Sequence, residues 1–140
     1  MIEFTIIGEL ASKSNSRRIV NWGKHPSIIK SDKALQYEYN SISQLKVQLG
    51  SLETFETYIK MDVDIYYSSK RPDLDVALLM DVMQRRIDKK TGIVIFRGVY
   101  KNDRQIAICN SKKHIDRNNP RVVVRITELT KEEISELNLN

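Results

Sequence analysis

IKMDVDIYYSSKRPDLDVALLMD, residues 59–81, changes its hydrophobic period part-way along. From Ile59 to Tyr67 the apolar side chains Ile59, Met61, Val63, Ile65 and Tyr67 alternate with Lys60, Asp62, Asp64 and Tyr66. Successive side chains of a strand point to opposite faces, so this alternation predicts a strand with one face in the core. After Pro72 the period lengthens. Val76, Leu79, Met80, Met83 and Ile87 share one stripe, which predicts an amphipathic helix over about residues 75–86. Between the two elements stand Asp73 and Asp75. One carboxylate there is explained by capping, and Asp73 suits an N-cap or near-cap position, because the first turn of a helix leaves N–H groups without partners. Two acids within three residues repel each other unless a cation lies between them, and oxygen-rich sites of this kind favour Mg²⁺ or Mn²⁺.

Outward from this stretch, Ile2, Phe4 and Ile6 alternate with Glu3 and Thr5 and predict a half-buried first strand. The segment from Ala11 to Lys30 loses periodicity and reads as a basic loop, with Lys13, Arg17, Arg18, Lys24, His25 and Lys30 gathered around Trp22, the sole tryptophan. Cations beside an aromatic suit phosphate contact with base stacking; the other reading tucks Trp22 back into the core. Ser31 caps a helix on which Leu35, Tyr39, Ile42, Leu45 and Leu49 recur, with Gly50 as its stop. GIVIFRGVY, after Thr91, reads as a further strand or a lid-like excursion. Ile106 and Ile108 open a strand, SKKHIDRNNP turns the chain, and Val122, Val124 and Ile126 return it as a hairpin. Thr130 and Glu133 form a capping box for a short helix. The fold class expected is α+β: one domain over residues 1–140, a mixed sheet packed by two main helices.

Composition narrows the function. At 140 residues, 41% hydrophobic, with a single cysteine, the chain can bury a core without disulfides, and a thiolate zinc site is excluded. No apolar run reaches the length of a membrane helix, and the start lacks a signal-peptide pattern, so the expected location is the cytoplasm and no membrane partner is expected. Lys and Arg total 23 against 18 acids, a net +5 that favours an anionic partner. A Mg²⁺ site usually takes a further carboxylate, and Asp103, just before a predicted strand, is the best candidate. Asp62 and Asp64, on the polar face of their strand, read as solvated. His25 and His114 read as phosphate donors or solvent-exposed groups in basic loops.

RPDLDV followed by a helix, then GVYKNDRQI, a basic loop and RVVVRITEL, together with SNSR at Ser14–Arg17, resembles the RusA family of Holliday-junction resolvases over nearly the whole chain. The resemblance implies a RusA-like fold, a homodimer that nicks four-way DNA junctions symmetrically, and Mg²⁺ (or Mn²⁺) held by Asp73, Asp75 and Asp103. Val76 stands where the family commonly carries Asn, and Leu79 where it carries Lys; Lys101 or Lys70 would supply the missing cation. Residues 85–97 lengthen the connection to Asp103. Lys13, Asn15, Arg17, Arg18, Lys24, Lys30, Arg71, Lys112, Lys113 and Arg117 would contact branched DNA. The rival expectation is a non-catalytic DNA-binding protein that uses the same basic loops with the acid pair only capping a helix. A third is an RNA-associated basic domain.

Overall fold

The computed structural model describes residues 1–23 and 25–140. Among them run β1 (Ile2–Ile7), a 3₁₀ turn (Lys13–Asn15), β2 (Arg17–Trp22), β3 (His25–Lys30), α1 (Asp32–Leu49), β4 (Ile59–Tyr67), α2 (Val76–Met83), β5 (Arg86–Ile87), β6 (Val94–Phe96), a second 3₁₀ turn (Asp103–Gln105), β7 (Ile106–Ile115), β8 (Arg121–Glu128) and α3 (Lys131–Glu136). Mixed α/β content in one small domain agrees with the expected class. No described helix is long and apolar enough to cross a membrane.

The main sheet has the order β1-β8-β4-β7. The expected β7–β8 hairpin is not formed. β8 lies antiparallel between β1 and β4, while β7 pairs parallel to β4 and forms the sheet's edge. Side-chain chemistry accounts for the difference. β8 alternates buried Val122, Val124 and Ile126 and can be covered on both sides, whereas the Lys112, Lys113 and His114 of β7 belong at a solvated edge. Parallel pairing requires a crossover, which α2 and the following hairpin supply.

One face of the sheet is apolar. Phe4 and Ile6 of β1, Val122, Val124 and Ile126 of β8, and Ile59 to Tyr67 at every second position of β4 join Leu45 and Leu49 of α1 and Leu78, Leu79, Val82 and Met83 of α2 in one core. Leu79, where the resembled family has Lys, is completely buried there. The other face is polar. Across it, Arg125 Nε meets Glu3 at 3.1 Å, Arg125 Nη1 meets Asp64 at 2.9 Å, and His114 Nε2 meets Asp64 at 2.6 Å, a charge ladder over all four strands. Asp64 and His114 are therefore partners in the sheet, not the solvated groups expected. The hydrogen bonds from His114 and then Arg125 hold the Asp64 carboxyl below its usual value of 3.8. A depressed carboxyl contributes stability that is present above the unfolded value and lost as pH falls through the folded one. Replacing Asp64 with Asn should therefore flatten the acid limb of the stability curve below about pH 4, read from urea midpoints at about pH 5 and about pH 3.

Residues 85–97 build the hairpin of β5 and β6, so the IVIF stretch adds a strand. Its base is tied into the body by side-chain ion pairs. Glu38 of α1, 8% exposed, bonds Lys30 Nζ at 2.8 Å and Arg86 Nη1, and Lys30 also bonds Asp81 of α2 at 2.5 Å. Removing one member of a mostly desolvated network leaves its partners uncompensated. Glu38→Gln should cost about 2–3 kcal/mol and lower the melting temperature by roughly 7–10 °C, measured by circular dichroism.

Candidate functional site

The chain between β4 and α2 is fixed before it presents any acid. Tyr67, the last residue of β4, is buried and donates its hydroxyl to the Asp73 carbonyl at 3.1 Å. Lys113 Nζ of β7 donates to the carbonyls of Lys70 (2.8 Å) and Pro72 (2.5 Å). Ser68 donates its N–H and hydroxyl to Glu9, at 2.8 and 2.7 Å. With the backbone clamped on both sides, the two acids face different surroundings.

Asp75, 6% exposed, is the N-cap of α2: its Oδ1 accepts the Leu78 N–H at 3.1 Å, and its Oδ2 accepts the Ser16 hydroxyl at 2.5 Å. The cap is thus the second acid of the pair, because the helix starts at Val76. The Asp73 carboxylate is exposed and, among the described residues, accepts only a long 3.4 Å bond from the Ser14 N–H. Burial, with the negative charges of Asp73, Asp75 and Glu9 nearby, pushes the Tyr67 hydroxyl far above its usual value. The corner is therefore electronegative, and Ser12–Ser16 wraps it.

Asp103 lies elsewhere. It opens the second 3₁₀ turn behind an Asn102 cap, and its N–H donates to Gln84 Oε1 at 3.1 Å. Gln84 is the C-cap of α2, whereas Asp75 is its N-cap, and nine helical steps separate the two by about 13 Å. The Tyr100 hydroxyl, raised chiefly by burial, has Asp103 and Asp81 as its charged neighbours. No group of three or more His, Cys, Asp or Glu side chains suited to a metal ion occurs among the described residues. The expected cage of Asp73, Asp75 and Asp103 is not assembled. Asp103, at the other end of the helix, falls outside the set; Asp73 and Asp75 remain at the corner, and one or two carboxylates are what Mg²⁺ commonly takes when waters and a substrate phosphate complete its near-octahedral array.

The cations divide the same way. Lys101 pairs with Glu56 at 2.8 Å beside Asp103, so of the two replacement cations only Lys70 shares the loop of Asp73. Arg71 and Lys70 are exposed there, and Lys13 and Asn15 lie exposed on the adjoining 3₁₀ turn. Arg17 and Arg18 are exposed on β2, Arg18 within 3.9 Å of Asp32. Lys24 lies outside the described residues. Lys30, expected on DNA, is instead held by Glu38 and Asp81. Lys113 is a loop clamp. Lys112 lies on the polar sheet face beside Asp64 and Arg125, and Arg117 is exposed in the β7–β8 connection.

Two features were missed in the sequence. Ser16 belongs to the site through its bond to Asp75; the SNSR match contained it, but nothing in its spacing joined it to residue 75. The segment that reads as a basic loop is a β2–β3 hairpin with Ile19 opposite Ile28 and Trp22 opposite His25. Neither a protein-family model nor a curated protein matches the chain.

Proposed function

We propose that this chain is a RusA-like endodeoxyribonuclease that acts, as a homodimer, on branched DNA such as four-way junctions. The observation that carries the reading is the join between acid corner and basic arm. Asp75 accepts the hydroxyl of Ser16, the next residue is Arg17 of β2, and Ser31 after β3 donates its N–H to the Ser16 carbonyl at 3.1 Å and its hydroxyl to the Asn15 carbonyl at 2.5 Å. The acids that would meet a scissile phosphate and the cations that would hold its strand are fixed to one corner. The chemistry is hydrolysis of a phosphodiester. Asp73, whose oxygens are nearly free, is the carboxylate able to take a proton from the attacking water, and Lys70 and Arg71 offer positive charge to the phosphate. Asp75 positions the corner. Mg²⁺ or Mn²⁺ belongs to this reading through the resemblance alone.

The capping role of Asp75 and the separation of Asp103 favour a second reading, a branched-DNA-binding protein without cutting activity. Competition separates both from a protein indifferent to branching: a labelled four-way junction should stay bound under excess linear duplex of the same length, with affinity falling steeply as salt rises. Equal displacement by duplex would remove the claim of structure selectivity. The two readings part over strand scission. The first requires nicks that depend on a divalent ion; the second leaves the strands intact in every metal.

A further inference from the structure

From Leu10 to Ser31 the chain contains no Asp or Glu. Folded, that segment carries the β2–β3 ribbon. Each strand has six residues, so the ribbon is about 20 Å long. A two-stranded ribbon alone in water is marginal, and apolar residues on one normally find cover. Here they do not: Ile19 and Ile28, directly opposed on one face, are 71% and 72% exposed, and Trp22, on the other face at the turn, is 68% exposed. Gly23, at φ 69°, provides the left-handed step that lets the turn follow Trp22 directly. Apolar faces on an acid-free, arginine-bearing ribbon fit a polyanion that also offers flat apolar surface. Nucleic acid bases at a break in stacking have that combination; a continuous duplex hides its base faces and an acidic protein surface lacks them.

We propose that the β2–β3 ribbon is the branch-reading element of this protein: Trp22 stacks on a base exposed where the helices part, Ile19 and Ile28 wedge against the opened step, and Arg17 and Arg18 hold the flanking phosphates. The proposal rests on branched DNA being the substrate and names the residues that select it. Selectivity is placed in the ribbon tip and scission at the Asp73–Asp75 corner, so the two are separable by mutation.

Trp22 is the only tryptophan, so the intrinsic emission of the whole chain reports on that tip. In EDTA, where no cutting occurs, the full chain is titrated with a four-way junction and with linear duplex, while the anisotropy of a dye on the DNA reports binding. The expected result is quenching of Trp22 in step with junction binding and little change on duplex bound to the same extent. Trp22→Ala should weaken junction binding roughly 5- to 150-fold, the range of one lost base-stacking contact, with duplex affinity and melting temperature unchanged; Trp22→Phe should recover most of the loss. A junction that binds with the emission unmoved overturns the ribbon's role and leaves the nuclease reading standing. An emission that shifts with protein concentration alone, without DNA, assigns the ribbon to a second copy of the chain and likewise overturns it. Failure to bind either DNA removes both proposals together.

Discussion

Asp75→Asn is expected to leave the fold intact and to reduce junction nicking by roughly 10²-fold, the loss that a small misplacement of reacting groups produces, because the amide nitrogen cannot accept the Ser16 hydroxyl as Oδ2 does and the corner loosens. Asparagine caps a helix about as well as aspartate, and its Oδ1 can keep the Leu78 N–H, so architecture and charge are separated in one substitution. Asp75→Ala is the contrast. It strands the buried Leu78 N–H, leaves the Ser16 hydroxyl with the Lys13 carbonyl as its acceptor at 3.1 Å, and should cost about 1–3 kcal/mol in stability in addition to activity. Single-turnover nicking rates, set beside melting curves of the same preparations, distinguish the outcomes. If the Asn variant cuts as fast as the parent, Asp75 is a structural cap and nothing more.

Gly98→Ala should be the most damaging change to the fold. Gly98 has φ 84°, where an added Cβ costs about 1–2 kcal/mol by itself. That Cβ would also collide with the Arg85 nitrogen and stand 2.5 Å from the Tyr100 carbonyl oxygen. Both are backbone atoms of the place where the chain closes over the end of α2, through Val99 N–H to Met83 O and Arg85 N–H to Tyr100 O, each 2.9 Å. Relief requires those bonds to open beside the buried Tyr100 and Val99. A loss of at least about 4 kcal/mol is expected, equivalent to a melting temperature lower by about 12 °C or more. Gly92→Ala is the control: its φ is 73°, but among the described residues no atom beyond its chain neighbours lies within 4 Å of the added carbon, so only the conformational cost of about 1 kcal/mol applies. A Gly98→Ala protein melting within a few degrees of the parent would contradict this packing.

Local signals were legible wherever one residue's chemistry decides one structural event. Ser31 caps α1 and Gly50 closes it, the alternation from Ile59 gives β4, and the Thr130–Glu133 box starts α3. Pairing was not, because strand partners are chosen by burial across the molecule: β7 and β8 are adjacent in sequence yet separated by β4. The β2–β3 ribbon escaped notice for a related reason. With both faces largely exposed, it has no reason to alternate apolar with polar, so Ile19-Val20 and Ile28-Ile29 gave no period-2 pattern. At the site, spacing correctly placed Asp73 and Asp75 at a strand-to-helix junction but not which of them caps. It carried no information on which end of α2 Asp103 would meet, since that depends on the parallel crossover to β7.

The most direct measurement is strand mapping on a four-way junction. Each strand is labelled in turn at its 5′ end, incubated with the full chain in Mg²⁺ or in EDTA, and resolved on a denaturing gel. Paired nicks at symmetric positions beside the crossover, present in Mg²⁺ and absent in EDTA, are the predicted result. Intact strands in both lanes, from a junction shown to be fully bound, would contradict it.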